Sequence, residues 1–205
     1  LTTYYLEINA TDPSNNNATA TISITVVDTT DPLWSPAPSD QNAELGQPFS
    51  YDINATDFQA IFYYINDTVN FTININIGLI QNNTILSLTT YYLEINATDA
   101  SNNNATAAIT ITVVDTTDPL WSPAPSDQSV ELGQPFSYDV DATDLQIIQY
   151  YINDTVNFTI NINTGLIQNN TILSVKTYYL EINATDASNN NATATISITV
   201  VDTTD

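Results

Sequence analysis

The chain has 205 residues, of which 23 are Asp or Glu and only one is Lys or Arg, so its formal net charge is −22. It contains no His, Cys or Met. These counts exclude a Ser-His-Asp or Cys-His catalytic centre and a structural zinc site. A chain with one cationic side chain also lacks the groups that bind phosphate, so nucleic acid is not expected as a partner. We expect a protein that is not an enzyme.

Hydrophobic residues make up 42% of the chain and aromatic residues 10%, which is too apolar for a disordered acidic tail, so the chain is predicted to fold. No apolar run approaches the roughly 18 residues of a membrane span, so none is expected in this segment. The first residues lack the basic start of a secretory signal peptide. We interpret the sequence as an internal piece of a longer array.

An internal repeat of 87 residues organises the sequence. The string LTTYYLEINATD begins at Leu1 and again at Leu88, and a close variant begins at Val175. Each copy ends on DTTD, and after the first two copies the proline-rich string PLWSPAPSDQ begins at Pro32 and Pro119. This string marks a segment start because proline is excluded from central strands. We therefore predict complete domains at 32–118 and 119–205, and take residues 1–31 as the last two strands, F and G, of a truncated preceding repeat.

Within one repeat, β-branched and aromatic residues alternate with Ser, Thr, Asn and Asp, which predicts strands and no helix. A first strand is expected near 39–45, and a turn is expected at Gly78. The residues predicted to point inward in the later strands are Phe49, Tyr51, Ile53 and Ala55; Ile61, Tyr63 and Ile65; Phe71, Ile73 and Ile75; Tyr91, Leu93, Ile95 and Ala97; and Ala107, Ile109, Ile111 and Val113. Seven strands in 87 residues predict an all-β fold of tandem seven-stranded antiparallel Greek-key sandwiches of immunoglobulin type.

This topology brings acidic residues together at the ends of the predicted domains. If the seven strands run antiparallel, the strands that end at Asp144 and Asp186 finish at the N-terminal end of the second complete domain. The linker that contains Asp115 and Asp118 joins the domain at this same end. Glu44 and Asp67 lie at the facing end of the preceding domain. Close carboxylates repel one another by a few kcal/mol per pair unless a cation lies between them, and Ca²⁺ is the hard cation that takes 6–8 oxygen ligands. The alternative is that these Asp residues only cap turns and keep the array soluble.

The order of the motifs resembles the cadherin repeat, in particular the cadherin-like domains of dystroglycan type. The likeness covers each whole unit and rests on ELGQPFSYDVDATD from Glu131, followed by YYI, FTINxxTGLI, YYLEINATD and AxIxITVVDTTDPLW. The resemblance implies calcium bound between domains by Asp115, Asp118, Asp144 and Asp186, with Glu44 as a further candidate. One repeat earlier it implies Asp28, Asp31, Asp57 and Asp99.

The sequence also departs from the cadherin pattern in its acidic positions. The family's longer linker DxNDNxP is shortened, since Pro119 directly follows Asp118. Leu86-Ser87-Leu88 replaces the acidic pair in the middle of the domain, and Gln59 and Gln146 stand where the family has the second acid of a DxD. Fewer ligands predict one or two ions rather than three, with weaker binding.

Asn-x-Ser/Thr sequons are frequent and fall on predicted turns or outward strand positions, where an attached glycan meets solvent. The alternative is that Asn and Thr are simply the polar residues of this chain, so that their pairing makes sequons by chance. The 13 sequons are at Asn9, Asn17, Asn54, Asn66, Asn70, Asn82, Asn96, Asn104, Asn153, Asn157, Asn169, Asn183 and Asn191.

Taken together, the sequence predicts a segment of an extracellular, cell-surface fibre or adhesin built from tandem repeats, rigidified by calcium and carrying N-linked glycans. Its expected partners are the neighbouring repeats and further copies of itself in a filament or bundle. One alternative is a carbohydrate-binding or spacer module of a secreted enzyme, which would use outward Tyr and Trp side chains on sugars. A weaker alternative is a glycosidase with an acid pair about 5–10 Å apart.

Overall fold

The computed structural model describes residues 1–204, and their secondary structure is strand, turn and irregular chain without helix. Spatial contacts divide the chain into two compact units. Unit 1 contains Leu1–Ala43 and Gln47–Val113, and unit 2 contains Glu44–Gly46 and the chain from Val114 onward. This division does not test the domain boundaries after residues 31 and 118, which stay predictions.

Twenty strands form in the described chain, and the pattern of the first complete repeat recurs in the second. The strands before residue 115 are β1 (Thr3–Thr11), β2 (Asn17–Thr25), β3 (Leu33–Trp34), β4 (Gln41–Glu44), β5 (Ser50–Asp52), β6 (Ala55–Thr56), β7 (Ile61–Ile65), β8 (Phe71–Ile73), β9 (Leu79–Asn82), β10 (Thr90–Asp99) and β11 (Asn104–Val114). Those after it are β12 (Leu120–Trp121), β13 (Gln128–Glu131), β14 (Ser137–Asp139), β15 (Ala142–Thr143), β16 (Gln149–Ile152), β17 (Phe158–Ile160), β18 (Leu166–Asn169), β19 (Thr177–Thr185) and β20 (Asn191–Val201).

In unit 2 a four-stranded and a three-stranded sheet enclose the core. The first has the order β13-β20-β19-β16 and the second the order β14-β18-β17, with a short β12-β15 pair beside them. β14 and β18 pair in the same sheet, and the chain between them passes through β16 of the other sheet, as in a Greek key. Buried residues from both sheets form one cluster that includes Phe136, Phe158, Ile167, Leu180 and Ile198. The core therefore lies between the two sheets of a sandwich.

The same arrangement recurs in the first repeat, with sheet orders β4-β11-β10-β7 and β5-β9-β8 and a short β3-β6 pair. The predicted inward phase is confirmed at positions such as Phe71, Ile95 and Ile111, none of which has measurable exposure. Because side chains alternate across a strand, an inward phase inferred from one residue extends to the whole strand. The strands β1 and β2 form a separate two-stranded antiparallel sheet.

Two details differ from the simple antiparallel scheme. β13 pairs with β20 in parallel, with Gln128 opposite Ile198, because the first and last strands of a sandwich run in the same direction. β8 ends at Ile73, so Ile75 is 40% exposed rather than inward. The reason is a turn at Asn74, whose side-chain oxygen accepts a bond from the Asn76 backbone N–H at 3.0 Å.

Candidate metal centre

The loop between the last two strands positions one Asp of each candidate site. The Asp186 carboxylate accepts bonds from the backbone N–H groups of Ser188 and Asn190 at 2.8 and 2.9 Å, and from the Asn190 side chain at 2.8 Å. Asn189 has a φ of 69°, a left-handed conformation that Asn tolerates better than most residues. The string DxSNNN thus builds the turn locally, and Asp99 makes the same set of bonds in the preceding repeat.

The second Asp of each site follows the short strand β6 or β15. The Asp144 carboxylate accepts a bond from the backbone N–H of Gln146 at 2.7 Å, and Asp57 accepts one from Gln59 at 2.8 Å. This is the bond from residue i+2 to residue i that Asp makes in an Asx turn. It occupies one carboxylate oxygen and leaves the other for a further partner.

The third Asp of each site is the first residue of the DTTD run. Asp28 accepts bonds from the Thr30 backbone N–H at 3.1 Å and from the Gln59 side-chain amide at 2.5 Å. The bond from Gln59 is the main cause that lowers the pKa of Asp28 below its usual value. Asp115 accepts the equivalent bonds from Thr117 and Gln146.

These three positions converge in both repeats. Carboxylate oxygens of Asp28, Asp57 and Asp99 lie within 4.8 Å of one another, as do those of Asp115, Asp144 and Asp186. The most deeply placed carboxylates are those of Asp99 and Asp186, which are 2% and 5% exposed. We call these sets the first and second Asp triads. Three negative charges at this spacing repel one another unless a cation compensates them.

The only cationic side chain in the sequence does not compensate the second triad. Lys176 places its ammonium 4.4 Å from the centre of the Tyr178 ring, a cation–π contact. Its charge also helps to lower the pKa of Asp154, although less than the bonds that Asn157 and Val156 donate to that carboxylate, whereas burial acts in the opposite direction. The contacts of Lys176 are therefore with Tyr178 and Asp154 rather than with a triad carboxylate.

The other predicted acidic residues lie outside the triads. Asp31 and Asp118 accept bonds from the backbone N–H groups of Asn104 and Asn191 at 3.2 and 3.0 Å. The Glu44 carboxylate accepts bonds from the backbone N–H and hydroxyl of Thr116 at 2.8 and 3.0 Å and from the Thr117 hydroxyl at 3.1 Å. The backbone bond from Thr116 is the main cause that lowers the pKa of Glu44. These residues hold the DTTD run in place.

Two amide side chains that the ligand prediction did not include also contact the triads. In the second triad, Asn190 donates to the backbone carbonyl oxygen of Asp115 at 3.1 Å. Gln146 donates to both Asp115 and the Ser188 hydroxyl, the latter at 2.6 Å. The signal that could have found them is the identical spacing of Gln and Asn from the triad acids in both repeats.

The donor set of each triad fits a hard cation. It offers only oxygen atoms, from three carboxylates, and Ca²⁺ prefers such ligands in flexible geometry. The set contains no nitrogen or sulfur ligand of the kind that selects zinc or copper. When bound, calcium would supply the missing positive charge and hold the DTTD run to the two loops.

The sequon asparagines differ in how their side chains are used. Asn104 and Asn153 are exposed, whereas Asn82 and Asn169 are half-buried. The Asn169 side chain accepts a bond from the Phe136 backbone N–H and donates one to the Thr171 carbonyl, both at 2.8 Å, and Asn82 makes the equivalent bonds. Within residues 1–204 no sequon asparagine is fully buried.

No protein-family model and no curated protein matches the chain. Among solved structures, it is similar to the human desmocollin-1 ectodomain, at 20% identity and a TM-score of 0.43, over 98% of this chain and 47% of that one. It is also similar to mouse cadherin-23 EC22-24, at 20% identity and a TM-score of 0.42, over 98% of this chain and 74% of that one. The titin domains z1z2 in complex with telethonin match at 14% identity and a TM-score of 0.50. This match covers 87% of this chain and 100% of the titin chain.

These similarities bear on the fold alone. The titin match and the sheets described above confirm the predicted all-β sandwich class. Cadherin ectodomains are among the similar structures, as the sequence resemblance predicted, and the dystroglycan-type assignment stays a prediction. The chain spans about half the length of the desmocollin-1 chain, at 47%. No helix long and apolar enough to cross a membrane occurs in residues 1–204.

Proposed function

We propose that the chain is a structural segment of an extracellular, cell-surface fibre or adhesin, in which calcium rigidifies tandem sandwich repeats for adhesion or cell contact. The single observation that carries this proposal is the Asp triad, which recurs with the same hydrogen bonds in both repeats. Its partners on this proposal are neighbouring repeats, further copies of the chain, and N-linked glycans. The role is structural rather than enzymatic, since a catalytic site repeated every 87 residues has no evident use.

The triads support a role for calcium because each joins three separate stretches of chain. Asp115 belongs to the DTTD run, Asp144 to the turn after β15, and Asp186 to the loop between β19 and β20. An ion bound by all three would fix the DTTD run against the two loops. Without the ion, repulsion among the carboxylates favours separation of these stretches. Calcium would therefore control the stiffness of the chain on either side of each triad.

Calcium titration of the 205-residue chain in metal-free buffer tests this proposal. We expect saturable heat of binding by calorimetry, and a rise in the thermal midpoint as calcium is added, since a ligand that binds only the folded state stabilises it. Small-angle scattering should show a more extended particle with calcium than with chelator. Mg²⁺ should substitute poorly, because it demands near-octahedral geometry. Absence of binding at millimolar calcium, with identical scattering in chelator, would refute the role of calcium.

N-linked glycosylation forms the second part of the proposal. Asn104 and Asn153 are exposed and accept hydrogen bonds through their side-chain oxygen, whereas Asn82 and Asn169 donate through Nδ2, the atom to which a glycan would be attached. We therefore expect high occupancy at the first two positions and low occupancy at the other two after secretion from a eukaryotic cell. Mass spectrometry after enzymatic deglycosylation measures this occupancy.

A matched pair of variants distinguishes a glycan from other modifications. Thr106→Ala destroys the sequon of Asn104, and Thr106→Ser keeps it. The first variant should lose the mass of one glycan and the second should not. A secreted chain that carries no glycan at any sequon would refute this part of the proposal without affecting the calcium part.

A further inference from the structure

A shallow groove of about 280 Å³ lies on the outer face of the sheet β4-β11-β10-β7, away from the Asp triads. Its lining includes Tyr92 and Glu94 of β10, Thr110 of β11, Asp40 and Asn66, all of which belong to unit 1. The Asp40 carboxylate accepts a bond from the Thr110 backbone N–H at 2.7 Å through Oδ1, which leaves Oδ2 for a further donor. The groove therefore joins an aromatic ring, two carboxylates and an amide.

The Tyr92 ring is exposed although the sheet around it has all four of its strands. Tyr92 is 74% exposed, whereas the adjacent Leu93 is 1% exposed because its side chain points into the core. Tyr179 occupies the same position in the four-stranded sheet of unit 2 and is 71% exposed. The outward aromatic ring is thus a repeated feature of complete sheets.

The Asn66 side chain is held next to this ring in a fixed orientation. Its Oδ1 accepts a bond from the Glu94 backbone N–H at 3.0 Å, and its own backbone N–H donates to the Glu94 carbonyl at 3.2 Å. Glu94 lies two residues after Tyr92 on the same face of β10, about 7 Å along the strand. Asn66 is exposed and begins the sequon Asn66-Asp67-Thr68. The bond to Oδ1 leaves Nδ2, the atom that carries an N-linked glycan, available for attachment.

The second repeat has the same arrangement. Asn153 accepts a bond from the Glu181 backbone N–H at 3.0 Å, and Tyr179 lies two residues before Glu181. Asn153 is also exposed and also begins a sequon. A sequon asparagine oriented by the strand that carries an exposed Tyr therefore occurs in both repeats.

We infer that the groove holds the first sugar residues of an N-linked glycan attached to Asn66, with a pyranose ring packed against Tyr92. The C–H face of a pyranose ring is apolar and its hydroxyl groups are polar, so it matches an aromatic ring that lies beside hydrogen-bond acceptors. The carboxylates of Asp40 and Glu94 accept bonds from the sugar hydroxyls. This inference rests on the glycosylation part of the proposed function and adds where the glycan lies.

The attached glycan, rather than a free saccharide, is the occupant because its attachment point lines the groove. Attachment at Asn66 gives the first sugar a high effective concentration at Tyr92. An intramolecular contact of this kind forms even where the same groove is too shallow to retain a free sugar. The glycan should therefore cover the outer face of the sheet instead of projecting into solvent.

Site-resolved deglycosylation of the folded 205-residue chain, secreted from a eukaryotic cell, tests the inference. A peptide N-glycosidase cleaves the bond between Asn Nδ2 and the first sugar, so a sugar packed in the groove is released more slowly than an unpacked one. Mass spectrometry of peptides over a time course gives the rate at each sequon. We expect release at Asn66 to be about fivefold to tenfold slower than at the exposed Asn104, the effect of one aromatic packing contact.

Variants of Tyr92 test the role of the ring. Tyr92→Ala should raise the release rate at Asn66 about fivefold to tenfold, and Tyr92→Phe, which keeps the ring, should stay within twofold of the parent. Tyr64→Ala is the matched control, because Tyr64 is an exposed Tyr of β7 that does not line the groove. It should also release within twofold of the parent.

Three outcomes would overturn the inference: equal release rates at Asn66 and Asn104, an unchanged rate at Asn66 in Tyr92→Ala, or a glycan at Asn104 with none at Asn66. In each of these cases the proposed glycosylation of the chain still holds. A secreted chain without a glycan at any sequon would instead refute both.

Discussion

The carboxylate of Asp12 accepts one hydrogen bond from the backbone N–H of Asn16 at 2.9 Å and another from its side-chain amide at 2.8 Å. Asp186 and Asn190 are joined in the same way, although Asp186 belongs to a triad and Asp12 does not. The loop conformation is therefore a local property of DxSNNN and does not require the other acids. A substitution of Asp186 would disturb both the loop and the triad, so Asp144 is the better position to test the triad alone.

Asp144→Asn should weaken calcium binding at the second triad roughly tenfold or more, because affinity follows the number of charged ligands. The stability of the calcium-free chain should change by less than about 0.5 kcal/mol, since the Asn carbonyl oxygen can still accept the bond from Gln146. Calorimetric titration measures the first quantity and urea unfolding in chelator the second. Asp154→Asn is the control outside the triads and should leave calcium affinity unchanged. Equal affinity in both variants would contradict the assignment.

Gly165→Ala should destabilise the chain more than Gly133→Ala. Both glycines have a left-handed backbone, with φ of 75° and 78°, which alone costs an Ala about 1–2 kcal/mol. A Cβ on Gly165 would also overlap the Val140 carbonyl oxygen, whereas one on Gly133 would have nothing within 4 Å. We expect a loss of about 3 kcal/mol or more at Gly165 and about 1 kcal/mol at Gly133. Urea unfolding measures both, and equal losses would show that the backbone conformation alone matters.

Tyr178→Phe should cost about 1 kcal/mol, the net value of one hydrogen bond. The Tyr178 hydroxyl accepts a bond from the Ser174 backbone N–H at 3.0 Å, which is the tyrosine corner of immunoglobulin-like sandwiches. The adjacent Tyr179 is 71% exposed, so Tyr179→Phe should change stability by less than about 0.5 kcal/mol. Thermal unfolding of the two variants at the same pH measures the difference, and the prediction fails if both behave alike.

Acid should remove part of the stability that Asp154 contributes. Bonds from the Asn157 backbone and side chain hold the pKa of Asp154 below its usual 3.8. Because the pKa is lower in the folded state, the stabilisation is present above pH 3.8 and is lost as the pH falls through the folded value. Asp154→Asn, which cannot ionise, should therefore be less stable than the parent at pH 6 and approach it near pH 2.5. A difference that does not change with pH would contradict this explanation.

The inward phase of each strand was predictable from sequence because side chains alternate with a period of two. Leu93, Ile95 and Ala97 are buried as expected, whereas Tyr92, which directly precedes Leu93 in β10, is 74% exposed. Ile75 was the exception, since the turn at Asn74 ended the alternation two residues early. Local turn chemistry therefore limited the prediction at strand ends rather than within strands.

The candidate site was predictable only in part. The sequence placed Asp115, Asp144 and Asp186 at one end of the predicted domain, and their carboxylates converge. The same reasoning also grouped Asp118 and Glu44 with them, although these two bond to Asn191 and to Thr116. A strand direction specifies the end at which a residue lies, but the position of its side chain depends on loop bonds that are several residues away.

The sequence by itself determined the repeat, the β class, the strand phase and the unusual excess of negative charge, because these are properties of residue order and composition. Only the tertiary structure decided that β13 pairs in parallel with β20 and that Gln146 and Asn190 donate hydrogen bonds to the second triad. These features depend on contacts between residues far apart in sequence, for which the local pattern carries no direct signal.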